Sequence, residues 1–167
     1  MNVKLIVTYD PAHIESSREK VENLIKETGT KPKFLESKHD GIFLIDVSKP
    51  KEIVRKLKAI SKKNRELFGK TFRYIPIEKW VRSEISDMRK SIKSLVPKIK
   101  ADEKWKMDLE KRHYDKYDFN ELIAKLTDVV DREKVDLKNP EKIIKVEIIE
   151  KNAGISLLEP DELLIVH

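Results

Sequence analysis

The sequence predicts an α/β (α+β) chain made of two small units, and three observations carry that expectation. Residues 1–75 pass through strand and helix patterns in the order β-α-β-β-α-β. Pro76 interrupts that run, and a new helical stripe starts after it. A second set of strand patterns then closes the chain between Val135 and Leu158. The first order is that of a ferredoxin-like domain, four antiparallel strands with two helices on one face. The expected domains are therefore 1–76 and 77–167.

The elements follow from spacing. Residues 3–8, VKLIVT, are a continuous apolar run of strand length. Asp10-Pro11 opens a helix, since proline is tolerated in a first turn; Ile14, Val21, Leu24 and Ile25 stripe it, and Gly29 ends it. Lys33-Phe34-Leu35 is a second strand. His39-Asp40-Gly41 carries the Asp-Gly signal of a hairpin turn leading to a strand over Ile42–Val47. Ser48-Lys49-Pro50 starts a helix striped by Ile53, Val54, Leu57, Ile60 and Leu67 and stopped at Gly69, and Thr71–Ile75 is the fourth strand.

After Pro76, Val81, Ile85, Met88, Ile92 and Leu95 recur at intervals of four and three, the spacing of one helical face. At about 100° per residue, Arg82, Arg89 and Lys93 fall on one flank of that stripe and Glu84 and Asp87 on the other. Trp105, Met107 and Leu109 alternate with Lys104, Lys106 and Asp108 as in a half-buried strand. Asp118 with Glu121 has the form of a capping box before a helix striped by Phe119, Leu122, Ile123, Leu126 and Val130. Asn139-Pro140 is a turn. Ile144, Val146 and Ile148 then alternate with polar residues, Lys151–Gly154 is the expected bend, and Ile155, Leu157 and Leu158 return. Glu159–His167 reads as a short final strand or tail.

Composition removes several classes of function. The chain has no Cys, hence no disulfide, thiolate metal site or cysteine nucleophile. His13, His39, His113 and His167 are scattered singly, so no metal site is expected. The loop Thr8-Tyr9-Asp10-Pro11 lacks the Arg and small residues of an acylphosphatase anion nest. No glycine cluster could cradle a phosphate, and each carboxylate has a lysine nearby, which favours solvated ion pairs over an acid–base couple. No catalytic residue and no cofactor are expected. No apolar run is long enough for a membrane span and the N-terminus fails as a signal peptide, so the expected location is cytoplasmic. Abundant Lys and Glu without any Gln suit a hyperthermophile.

The net charge of +6 is unevenly spread. Residues 1–76 hold 17 Lys and Arg against 10 Asp and Glu, and residues 77–116 hold 12 against 8. Residues 117–167 reverse the balance, 7 against 12. Clustered cations point to a polyanion. Lys111-Arg112-His113-Tyr114-Asp115-Lys116-Tyr117 interleaves cations with aromatics, the mixture that binds unpaired RNA through phosphate contacts and stacking.

Val135-Asp136-Leu137, Asn139-Pro140, Val146-Glu147 and Gly154-Ile155-Ser156 together resemble the end of the THUMP domain, an RNA-binding module of tRNA-modifying proteins. The wider chain, through Arg73-Tyr74-Ile75-Pro76, Trp105-Lys106-Met107 and Glu110–Tyr114, resembles one branch of that family. In this branch a ferredoxin-like domain precedes the THUMP domain and no catalytic domain follows. The resemblance implies a non-enzymatic adaptor. It would bind serine or leucine tRNA and present it to a separate acetyltransferase, which uses acetyl-CoA and ATP to form acetylcytidine. The alternatives are an RNA-binding head acting in trans for thiouridine synthesis or methylation, and a stand-alone ribosomal RNA-binding or protein-interaction module. The expected RNA face joins the rim of the Trp105 strand (Lys111, Arg112, His113, Tyr114 and Lys116, with Lys104 at its start) to the helix flank Arg82, Arg89 and Lys93. Arg112 and Arg89 are the leading phosphate contacts and Tyr114 the stacking group. Lys70 and Arg73 of the first domain are the next choice.

Overall fold

The computed structural model describes residues 1–166, so His167 lies outside the described residues. Among the described residues, nine strands and four α-helices form two compact units. One unit holds Met1–Ile77 together with the segment from Asp161, and the other holds Glu78–Pro160.

In the first unit the strands β1 (Leu5–Tyr9), β2 (Lys33–Leu35), β3 (Ile42–Asp46), β4 (Thr71–Pro76) and β9 (Leu164–Ile165) form an antiparallel sheet in the order β2-β3-β1-β4-β9. The helices are α1 (Ile14–Glu27) and α2 (Pro50–Lys63). Before α1, a 3-10 turn at Pro11–His13 is capped by the Asp10 carboxylate, which accepts from the Ala12 amide at 3.0 Å. The apolar stripes meet in one core of Leu5, Val7, Val21, Leu24, Ile25, Phe43, Ile45, Ile53, Val54, Leu57, Phe68 and Tyr74. Each fully buried aliphatic side chain there contributes about 1.5–3 kcal/mol. The turn expected at His39-Asp40-Gly41 is part of a wider loop, residues 36–41, in which Gly41 takes the positive φ of 85°. There its carbonyl accepts from the Tyr9 amide at 2.9 Å. The final strand extends this first sheet, by pairing Leu164 with Tyr74 and Ile165 with Arg73. The C-terminal residues expected in the second domain therefore run with the first.

In the second unit β5 (Lys79–Arg82), β6 (Trp105–Arg112), β7 (Lys142–Ile149) and β8 (Asn152–Leu158) form a sheet in the order β5-β8-β7-β6. The pair β6–β7 is parallel and the others antiparallel. The parallel pair is joined by a crossover through α4 (Phe119–Thr127), as parallel strands require. With α3 (Ile85–Leu95), α4 covers one face of the sheet, where Met88, Ile92, Leu122 and Leu126 pack on Trp105, Leu109, Ile144, Val146, Ile148, Ile155 and Leu157.

Two expectations in this unit need correction. Val81 and Arg82 are not on the helix: they belong to β5, which pairs with β8, and α3 begins only at Ile85. Val81 still packs on the core, from the sheet rather than from the helix. The hairpin bend is Glu150-Lys151, with Glu150 left-handed at φ 53°, so Asn152, Ala153 and Gly154 are already strand. Of the capping box expected at α4, the N-cap half is present. The Asp118 carboxylate accepts from the Glu121 amide at 2.8 Å. Asp118→Ala should cost about 1 kcal/mol, read as a lower urea midpoint at unchanged m; an unchanged midpoint would show that the cap does not hold the helix.

Candidate nucleic-acid interface

The second sheet brings four strand ends together at one edge. β5 and β7 both run antiparallel to β8, and β6 runs parallel to β7. The C-terminal ends of β5, β6 and β7 therefore lie beside the start of β8, with Arg82 opposite Asn152 and Arg112 opposite Ile149. Short hydrogen bonds tie this rim. The Ser83 amide donates to Lys151 O at 2.9 Å and its hydroxyl to Glu150 O at 2.6 Å; the Glu150 amide donates to Arg112 O at 2.9 Å. The result is a fixed platform carrying Arg82, Arg112, His113, Lys116 and Lys151.

The side chains at this rim differ in what they already hold. Arg82 is exposed and its Nε pairs with Asp87 at 3.1 Å. Lys116 is exposed and pairs with Glu84 at 3.1 Å; that hydrogen bond raises the ammonium above its ordinary pKa, so it stays charged through neutral pH. Lys111 donates to Tyr114 O at 3.0 Å. Among the described residues, the side chains of Arg112 and Lys151 make no ion pair. Exposed pairs such as Arg82–Asp87 hold together weakly, so a phosphate can replace the carboxylate. His113 is exposed, with φ 54° turning the chain at the end of β6.

Four of the expected contacts are otherwise placed or engaged. Tyr114 cannot be the stacking group: it is only 8% exposed, packs in the core and donates its hydroxyl to Ser83 O at 3.1 Å. Burial pushes its pKa up. Arg89 braces the two helices, donating to Lys125 O at 2.9 Å and pairing with Asp128 at 3.2 Å. Its guanidinium satisfies a carbonyl at the C-terminal end of α4, a structural task. Lys93 lines a cleft of about 470 Å³ with Val96, Pro97, Val129 and Arg132. Arg132 in turn clamps the carbonyls of Ile99 at 2.7 Å and Val96 at 3.1 Å. Lys104 stands at the opposite, starting end of β6, 3.8 Å from Asp136. The helix flank and the strand rim therefore do not share an edge. Helix α3 leads to the start of β6, whereas Arg112 stands at its far end.

Lys151 is not among the expected contacts, although the expected bend Lys151–Gly154 includes it; its position at the tip of an apolar hairpin is the available signal. In the first unit, Lys70 is exposed and Arg73 is partly buried on β4. Among the described residues no group of three or more His, Cys, Asp and Glu side chains could hold a metal ion, and no helix is long and apolar enough to cross a membrane.

Comparison with known proteins adds the family. The family model of the THUMP domain matches residues 82–158. No curated protein matches the chain. Among solved structures, PH1313 from Pyrococcus horikoshii Ot3 is similar at TM-score 0.64 and 20% identity, over 95% of this chain and 55% of that one. TrmN from Thermus thermophilus is similar at TM-score 0.59 and 13% identity, over 92% of this chain and 44% of that one. A predicted N6-adenine-specific DNA methylase from Listeria monocytogenes str. 4b F2365 is similar at TM-score 0.57 and 10% identity, over 93% and 40%. The chain thus spans about half the length of these structures, and what it shares with them is the fold. The segment from Arg82 to Leu158, which holds the rim just described, is a THUMP domain.

Proposed function

We propose that this protein is a tRNA-binding adaptor. In this reading the cationic rim of its THUMP domain holds the RNA, and the chain presents serine or leucine tRNA to a separate acetyltransferase that forms acetylcytidine. The partner brings acetyl-CoA and ATP; this chain contributes binding and orientation and no catalytic group. A cytoplasmic setting in a thermophile goes with the reading. THUMP domains are RNA-binding modules, and the observation that carries the proposal is the rim itself. Arg112 and Lys151 stand on a hydrogen-bonded edge and make no ion pair among the described residues, flanked by Arg82 and Lys116. A planar guanidinium offers two parallel donors to a phosphate.

Binding of tRNA by the purified chain should weaken steeply with salt. A site meeting about four to six phosphates gives a log–log slope of about −3 to −5. Equal affinity for duplex DNA would reduce the rim to a merely electrostatic surface. The adaptor role is tested by quantifying modified nucleosides in tRNA from a strain lacking the gene. Acetylcytidine should disappear. Loss of thiouridine or of a methylated nucleoside, with acetylcytidine intact, would assign the chain to another modification. The purified chain alone should transfer no acetyl, sulfur or methyl group.

A further inference from the structure

A second feature of the chain has the chemistry of a nucleic-acid contact and lies wholly within the first unit. Strand β4 carries a bulge. Thr8 of β1 pairs with Arg73 and Tyr9 with Thr71, which leaves Phe72 as an additional residue. Both flanks of the bulge are anchored. The Thr71 hydroxyl is buried, 2.7 Å from Phe68 O and 2.7 Å from the Tyr74 hydroxyl. Tyr74 is fully buried in the core. On the other side the Val166 amide donates to Phe72 O at 2.6 Å. A bulge re-aims a side chain that regular alternation would turn inward. Here it leaves a phenyl ring 42% exposed on a fixed backbone, beside the buried Thr71.

Cations crowd the same stretch of chain. Lys62 and Lys63 end α2, Arg65 stands on the 3-10 turn Arg65–Phe68, and Lys70 precedes the bulge. All four are exposed, and among the described residues none of their side chains makes an ion pair. The 3-10 turn packs against both α1 and α2, and Lys70 O accepts from the Asp10 amide at 2.9 Å, so this segment is held against the body of the unit. Between residues 62 and 73 the acidic count is one, Glu66, against five Lys and Arg. The Asp10 carboxylate, whose own amide bonds Lys70 O, accepts from the Ala12 amide at 3.0 Å.

We propose that this end of the first unit is a second RNA contact, specific for an unpaired stretch. Phe72 stacks on an exposed base while Lys62, Lys63, Arg65 and Lys70 hold the flanking phosphates. A phenyl face accepts any base, and single strands need the backbone cations alongside it. The inference deepens the RNA-binding reading above and rests on it: it adds that the bound RNA has a single-stranded part and says which residues meet it.

The test uses the full chain and two labelled RNAs, a blunt stem–loop and the same stem–loop with an unpaired tail of about six nucleotides, within the site sizes such surfaces take. Wild type should bind the tailed RNA more tightly. Phe72→Ala should remove that gain, a loss of about 5- to 150-fold for a stacked base, and leave the blunt RNA unaffected. Phe72→Leu keeps apolar bulk and removes the ring, so it separates stacking from folding; it should behave like Phe72→Ala, whereas Phe72→Trp should retain tail binding. Lys62→Ala with Lys63→Ala should flatten the salt slope for the tailed RNA by about 1.4. Tail binding that survives in Phe72→Leu overturns the proposal, as does a tail that adds nothing to wild-type affinity while the blunt RNA still binds. A surface built for a protein partner would give that second result. If wild type binds neither RNA, the RNA-binding reading itself fails, a result distinct from the loss of tail preference alone.

Discussion

Replacing Lys145 by Met is expected to destabilise the second unit by about 3–5 kcal/mol, the range for breaking a buried ion pair from one side. Lys145 and Glu147 lie on β7 at 0% and 1% exposure, on the sheet face opposite the helices. The ammonium donates to Asp108 O and to Asp108 Oδ1, each at 3.3 Å, and forms an ion pair with Glu147 Oε1 at 2.9 Å without hydrogen-bond geometry. Losing that ammonium takes the Lys145 charge from beside the buried Glu147 carboxylate, and burial of a charge is costly unless it is well paired. The double change Lys145→Met with Glu147→Leu removes both charges and should recover most of the loss, because an apolar pair of similar volume often replaces a buried ion pair without penalty. Urea unfolding with m held constant reads both effects. A single variant within about 1 kcal/mol of wild type would mean that water reaches the site.

That pair also marks where the sequence becomes hard to read. Alternation of Ile144, Val146 and Ile148 with Lys145 and Glu147 is the pattern of a strand with one wet face, and solvated pairs were the expected state of the carboxylates. The opposite face is buried as well, and only tertiary structure decides that. In the first unit the periods are long and the punctuation is clear. Asp10-Pro11 and Gly29 bracket the first helix and Pro50 opens the second, two helices of 14 residues each; the second ends at Lys63, and its expected continuation through Leu67 to Gly69 is a separate 3-10 turn, Arg65–Phe68, while element order gives the sheet. The segment Val81–Leu95 shows the opposite case. Spacings of four and three extend a helical stripe back to Val81, yet Lys79–Arg82 pairs with β8, about 70 residues away in sequence. A four-residue strand has too few positions for its period to compete with a neighbouring helix, and its partner is invisible to any local window. The two-residue strand Leu164–Ile165 is hidden for the same reason. Among the expected contacts, Arg112 and Lys116 stand on the rim because strand direction alone puts them there. Tyr114 and Arg89 were misjudged because their partners, Ser83 O and Lys125 O, are 31 and 36 positions distant.

The variant Arg112→Ala with Lys151→Ala is expected to weaken tRNA binding at least tenfold and to flatten its log–log salt slope by about 1.8, the loss of two phosphate contacts. Neither side chain makes an ion pair among the described residues, so the melting temperature should hold, as it does for surface changes within about 0.5 kcal/mol. Arg89→Ala is the informative contrast. It frees the Lys125 carbonyl and the Asp128 carboxylate that tie α3 to α4. It should therefore lower stability by about 1.5–3 kcal/mol, the worth of a hydrogen bond to a charged group, and leave the salt slope unchanged. Tyr114→Phe should act likewise on a smaller scale, removing one neutral hydrogen bond to Ser83 O worth about 1 kcal/mol. A rim that binds RNA thus separates two kinds of residue by two independent readouts. Arg112 and Lys151 move affinity and slope at constant stability, and Arg89 and Tyr114 move stability at constant slope. If the Arg112–Lys151 variant binds tRNA as wild type does, with the same slope, phosphate is not held at the C-terminal ends of β5, β6 and β7.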